Sequence, residues 1–350
     1  MKLFKCAHCA QPLYFENYYC ENCGMQLGFE PQSLEFIPIV SSNNGVIIPW
    51  DNNITTVYQY CSNRVYNSCN WIVPQNDGNG LCKACELNRT IPDITNPDYL
   101  QRWQTLELAK HRLVYSLLRL NLPLTSKLKE PSTGLLFDFK ADGKKKVLTG
   151  HDEGLITINI AEADDIEREM ARRNMEEVYR TVLGHFRHEV GHYYWDRLIS
   201  YTNYLYEFRQ LFGDERSDYE EALKAHYANG APPNWNLQYI SAYASTHPWE
   251  DWAETWAHYL HIVDTLETAY AFGLGIHPVI KDTISNFSVA VTDNPYHMKN
   301  FEDIINLWLP LTVVLNSLNR SMGLRDAYPF VISSPVLGKL AFIHKVCHGL

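Results

Sequence analysis

No apolar run in this chain reaches the ~18 residues that a membrane-spanning helix requires. The longest contender, Ile304 to Leu315, is interrupted by Asn306 and Pro310. Basic residues are outnumbered, 30 Lys and Arg against 40 Asp and Glu for a net charge of -10, which argues against nucleic-acid or membrane-surface partners. Neither a G-x-S-x-G elbow nor a phosphate-binding P-loop occurs, so serine hydrolysis and nucleotide chemistry do not compete. Internal repeats and low-complexity tails are also missing, which removes solenoids and disordered arrays. Met1-Lys-Leu-Phe-Lys-Cys6 reaches a candidate ligand cysteine with no apolar signal region before it, so no secretory leader is expected and the sequence predicts a cytoplasmic protein. Beyond residue 90 cysteine all but vanishes, leaving Cys347 alone and incidental.

Cysteine is concentrated instead near the N-terminus. Cys6-x2-Cys9-x10-Cys20-x2-Cys23 carries two tight C-x-x-C turns, each able to present two thiolates to one ion, and together they can close a tetrahedron. Cys61-x7-Cys69-x12-Cys82-x2-Cys85 has one such turn and looser spacing. The simplest arrangement is one structural zinc per group, although crossed pairing between the groups uses the same residues and tetrahedral sulfur suits iron as well as zinc. A disulfide framework is the competing account, and it needs the oxidising compartment that the missing leader speaks against. A region this small has little core of its own, so bound metal is expected to supply much of its folding free energy. Up to residue 90, Lys2, Lys5, Arg64, Lys83 and Arg89 stand against Glu16, Glu21, Glu30, Glu35, Asp51, Asp77 and Glu86, and four-thiolate zinc sites add further negative charge. That balance suits a protein-binding, substrate-presenting or purely structural role rather than phosphate binding.

The stretch that carries chemistry is His188-Glu189-Val190-Gly191-His192, an H-E-x-x-H sequence. It lies in a segment of helical periodicity from Met175 to Leu198, where Val178, Val182, Phe186, Val190, Tyr193 and Tyr194 recur and Gly184 is the one weak position. Positions i and i+4 share a helix face, so both imidazoles can reach one ion while Glu189 stands beside it as a general base. The bland alternative is a structural helix with two satisfied histidines. An open hydrolytic zinc takes three protein ligands, so another must come from elsewhere. Trp195 and Leu198 occupy the positions where the extended H-E-x-x-H-x-x-G-x-x-H form needs Gly and His.

The best source of that ligand is the segment Tyr243 to His258. Pro248 marks a first helical position, with Ser245, Thr246 or His247 before it as cap; Glu250 then falls in the first turn, Glu254 one turn on, and His258 continues the stripe. Trp252, Trp256, Tyr259 and Val263 are expected to face the core. Against a ligand role, acidic residues in a first turn serve the helix dipole without any metal. His226 is a reserve ligand, though a lone His in a helical stretch is more often structural.

These residues resemble a known group. H-E-x-x-H followed by Glu250-Asp-Trp-Ala-Glu254 looks like the motif pair of the gluzincin metallopeptidases, most closely the catalytic domain of the anthrax lethal factor type with its E-x-x-A-E helix. The resemblance implies that Glu250 is the third zinc ligand and that Glu254 orients a zinc-bound histidine. It further implies that Tyr243, seven residues before Glu250, helps stabilise the oxyanion, with Tyr239 as substitute and a packing tyrosine as the alternative. Asp196 matches an aspartate that follows the motif in several gluzincins, and a surface or capping role suits it equally. Over nearly its whole length the chain is similar to a bacterial family of zinc-binding metallopeptidases that carry an N-terminal zinc ribbon. Three blocks bear that similarity: the N-terminal cysteines, Phe186 to Asp196, and His247 to His258.

Length suggests two domains, and composition divides them near residue 95: a zinc-ribbon region with two four-cysteine metal sites over 1–95 and a zincin-like metallopeptidase domain over 96–350. A helix is predicted from Asn96-Pro97 through Trp103, Leu106, Leu113, Leu117 and Leu120 to Pro123, strands at Gly134 to Phe139 and Gly154 to Ile160, and core helices at Asn300 to Leu324 and Val336 to Val346. The turn-rich stretches 211–218 and 229–234 are expected to frame the cleft. The fold class is therefore α+β, a zinc-ribbon region followed by a mostly helical domain with a small sheet, whose strand nearest the site would, by the resemblance, pair with an extended peptide. The expected function is zinc-dependent hydrolysis of a peptide or protein substrate, with one catalytic and two structural zinc ions and Glu189 moving the proton. The alternative is a zinc-ribbon adaptor whose zincin-like domain binds peptide or protein without turnover; the intact carboxylate at Glu189 argues against it.

Overall fold

The computed structural model describes residues 1–43, 46–76, 78–164, 181–279 and 287–350, which belong to two compact units, Met1–Arg168 and Glu169–Leu350. The fold is α+β. In the first unit, β1 (Phe4–Lys5) and β2 (Pro12–Leu13) form a short antiparallel pair. An antiparallel five-stranded sheet follows in chain order: β3 (Gln26–Glu30), β4 (Glu35–Asn43), β5 (Val46–Pro49), β6 (Tyr58–Tyr60) and β7 (Ile72–Pro74). Ile37, Ile39, Ile47, Tyr58 and Ile72 pack together as one apolar cluster.

The first unit runs past the compositional break at residue 95 and takes in α1 (Pro97–Arg119). Asn96 caps this helix by accepting from the Asp98 N–H at 3.0 Å, as the Asn-Pro start predicts. One face of α1 then closes an aromatic core. Tyr115 meets Phe15 at 5.5 Å between ring centroids, and Phe29 meets Trp71 at 4.8 Å, with Phe4 and Phe36 beside them. Each such ring, fully buried, is worth roughly 1.5–3 kcal/mol.

Four strands complete this unit, β8 (Asn88–Thr90), β9 (Leu136–Lys140), β10 (Gly150–Asp152) and β11 (Leu155–Asn159), in the spatial order β10-β11-β9-β8. The two strands visible as alternating runs, β9 and β11, are parallel neighbours rather than a hairpin. The hairpin partner of β11 is β10, joined through Glu153 and Gly154, both at positive φ. Asp138 sits in the middle of β9, fully buried, and accepts from Arg89 Nε at 2.9 Å, with Lys140 Nζ 2.7 Å away. Burial alone would raise its carboxyl, but the two cations hold it well below the usual range.

The second unit is mostly helical: α2 (Val182–Leu198), α3 (Tyr204–Phe212), α4 (Tyr219–Asn229), α5 (Pro248–Ala271), α6 (Phe301–Ser321) and α7 (Ser334–His348), with one small antiparallel pair, β12 (Gly275–Ile276) and β13 (Val289–Ala290). Helix α5 is its centre. Trp252, Trp256, Tyr259 and Val263 are fully buried, as the periodicity predicts. Lys339 of α7 is buried against α5, its Nζ 2.6 Å from Asp251 and donating to the Gln238 carbonyl at 2.8 Å. Among the described residues, no helix is long and apolar enough to cross a membrane.

Candidate metal centre

Helix α2 begins at Val182, with the Thr181 hydroxyl accepting from the Gly184 N–H at 2.9 Å. Gly184 therefore lies in the capped first turn, where its low propensity costs little. Met175 and Val178, which the periodicity assigns to the same helix, lie outside the described residues. The next glycine matters more. A Cβ on Gly191 would stand 3.0 Å from the Ala253 Cα and 3.3 Å from Trp256, so the bare backbone is what lets α5 press against α2. Trp252 Nε1 seals the contact by donating to the Gly191 carbonyl at 2.8 Å.

Of the three proposed caps for α5, His247 serves: its Nδ1 accepts from the Trp249 N–H at 3.1 Å, and its Nε2 donates to the Ser217 carbonyl at 3.1 Å. Burial pushes this imidazole below its ordinary value, which keeps Nδ1 an acceptor. Pro248 and the cap start the helix so that Glu250 faces α2. Its Oε2 lies 3.1 Å from His188 Nε2 and 3.6 Å from His192 Nε2, and the two Nε2 atoms are 3.3 Å apart. Glu250 is buried, whereas the imidazole side chains keep 15% and 17% of their exposure, so the cluster opens on the histidine side.

The chemistry of these three atoms fits a cation. Glu250 Oε2 is buried with no hydrogen-bond donor aligned on it, although two ring nitrogens are close. His188 is oriented from behind, its Nδ1 2.7 Å from Glu254 Oε1, which fixes Nδ1 as the donor and leaves the Nε2 lone pair turned to the cluster. Glu254 is held in turn by the Ser241 hydroxyl, which donates to Oε2 at 2.6 Å. Burial would raise the Glu250 carboxyl, yet both imidazoles hold it well below its ordinary range. Glu189, next to His188 in the chain, is pushed up by burial against the pull of His188 and His192.

Tyr243 lies beside the cluster, its ring 6.0 Å from that of His188. Burial, with Glu250 nearby, pushes its phenol up and so keeps it a neutral donor. The Tyr239 ring lies against Lys339, 4.5 Å from its Nζ. His226 stacks edge-on to Tyr243 and is not part of the ligand group, while His258 is buried with Nδ1 2.8 Å from the Tyr328 hydroxyl. Sequence reasoning missed Tyr219, the first residue of α4, whose hydroxyl donates to Glu250 Oε1 at 2.6 Å, and it missed Ser241. Neither carries a motif, because Tyr219 at the start of α4 and Ser241 in the turn before α5 reach the cluster from other parts of the chain.

The cysteines gather as two separate groups of four, Cys6, Cys9, Cys20 and Cys23, and Cys61, Cys69, Cys82 and Cys85, with no crossing between them. Sulfurs stand 3.9 Å apart in Cys6–Cys23, 3.5 Å in Cys9–Cys20 and 3.6 Å in Cys69–Cys82, far beyond the ~2.05 Å of a disulfide. Backbone N–H groups of Trp71, Cys82 and Cys85 point at the sulfurs of Cys69, Cys61 and Cys82, each at 3.4 Å, as around thiolates in metal knuckles. A further buried group, unforeseen from spacing, adds Glu107 and His111 of α1 to Cys85. His111 Nε2 lies 3.7 Å from the Cys85 sulfur and its Nδ1 donates to the Glu107 carbonyl at 2.6 Å. Burial also pushes up the Cys347 thiol.

Residues 99–346 match the family described as "Putative zinc-binding metallo-peptidase", and residues 3–96 match a zinc-ribbon domain. Similar proteins include uncharacterized proteins of Mycobacterium tuberculosis and Mycobacterium bovis, each 42% identical over 348 residues, covering 99% of this chain and 95% of the relative. No solved structure matches the chain.

Proposed function

The chain belongs to the family described as "putative zinc-binding metallo-peptidase", and from that premise we propose that it is a zinc-dependent peptidase of the gluzincin type, akin to the lethal factor catalytic domain. The observation that carries this reading is the convergence of His188 Nε2, His192 Nε2 and Glu250 Oε2, all within 4.8 Å of one another, beside Glu189. These three side chains hold the ion. Zinc in such a site supplies Lewis acidity, which activates water and polarises a carbonyl.

The chain's own residues do the rest. The Glu189 carboxylate takes a proton from the attacking water and later delivers it to the leaving amine. The neutral Tyr243 hydroxyl donates a hydrogen bond to the developing oxyanion and keeps its proton, and it makes no hydrogen bond among the described residues that would compete. Glu254 keeps His188 in the tautomer that presents Nε2. Cys6, Cys9, Cys20 and Cys23 bind one structural zinc, and Cys61, Cys69, Cys82 and Cys85 a second. The acidic balance of the chain supports a peptide or protein substrate over nucleic acid.

The test separates metal from chemistry. Glu189→Gln is expected to keep the full zinc complement and lose hydrolysis of a broad peptide library; retained hydrolysis would remove Glu189 from its role. A fully zinc-loaded wild-type chain that cleaves nothing would favour a peptide-binding adaptor instead.

A further inference from the structure

Glu250 has two carboxylate oxygens, and its surroundings treat them differently. Oε2 faces both imidazole Nε2 atoms, while Oε1 accepts the Tyr219 hydroxyl at 2.6 Å. Tyr219 opens α4, a helix with no buried residue among its eleven. Core packing therefore does not anchor it. What holds its first residue is the hydroxyl bond and the contact of its ring with His247, at 5.2 Å and 86°, and with Trp249 at 6.0 Å. His247 also caps α5, so the phenol and the carboxylate it meets are set by one local structure.

A carboxylate can bind a metal through one oxygen or both, and binding through both fills an extra coordination position. A donor committed to one oxygen biases the carboxylate towards the other. We propose that Tyr219 is a positioning residue that holds Glu250 in one-oxygen ligation and so keeps a position of a four-coordinate zinc open for water and substrate. The inference rests on the reading of His188, His192 and Glu250 as ligands. It divides the labour between two tyrosines: Tyr219 is committed to the ligand, and Tyr243 is left for the substrate.

Tyr219→Phe in the full-length chain keeps both ring contacts and deletes only the hydroxyl. Zinc affinity at this site, measured by chelator competition, is expected to fall roughly 10- to 100-fold. With cobalt(II) in place of zinc, the variant is expected to lose visible absorption per ion as the coordination number rises, once the spectrum of His188→Ala, which reports the cysteine sites, is subtracted. Tyr243→Phe is the control and is expected to keep wild-type affinity and spectrum. If His188→Ala leaves the zinc count unchanged, the ligand reading fails and this proposal goes with it. If the wild-type site binds but Tyr219→Phe matches it in affinity and spectrum, or Tyr243→Phe loses as much, the role of Tyr219 alone is overturned.

Discussion

Asp138 shows how a single buried carboxylate is made tolerable: Arg89 and Lys140 converge on it and depress its pKa despite full burial. A carboxyl with a lowered folded pKa stabilises the fold above its unfolded value of ~3.9, and loses that contribution as pH falls through the folded value. The urea midpoint of wild type is therefore expected to exceed that of Asp138→Asn at pH 7 and to approach it as the pH is lowered towards ~2; a gap that stays constant would contradict the ion-pair account. At the proposed metal site, legibility follows distance along the chain. His188 and His192, or Glu250 and Glu254, are one helical turn apart, so the sequence alone puts each pair on one face. Ser241 and Tyr219 reach Glu254 and Glu250 across 13 and 31 residues, over turns with no periodicity to reveal where they return.

Helix α2 and helix α5 meet where the motif's own glycine is, and that contact is an element-scale requirement for the site. Adding one methyl at Gly191 has to move Ala253 or Trp256, and overpacking of this kind typically costs about 1–3 kcal/mol. Gly191→Ala is expected to lower the denaturation midpoint and also to weaken zinc binding, because Glu250 rides on the displaced helix. Wild-type zinc affinity in a destabilised Gly191→Ala chain would show that the helix spacing does not set the ligand geometry. Helix starts were readable because Asn96-Pro97, His247-Pro248 and Asn300 combine a cap with a first-turn signal, and each begins a helix. Strand pairing was less so. The parallel relation of β9 and β11 depends on β10, three residues long and without an alternating signature, which takes the antiparallel place beside β11.

Across the whole molecule, the proposed sites predict a count. About three zinc ions per chain are expected in wild type, falling to about two in His188→Ala, by elemental analysis of the purified proteins. A wild-type value near one would remove the cysteine groups from the reading. Those groups also raise the question of what a ribbon is in this protein. Its aromatic core is closed by Tyr115, which comes from the stretch matched by the metallopeptidase family and not from the ribbon match at residues 3–96. The two modules are thus not beads that recombination could restring at their sequence border. A ribbon transplanted without residues 97–119 would arrive with Phe4, Phe15 and Phe29 open to water.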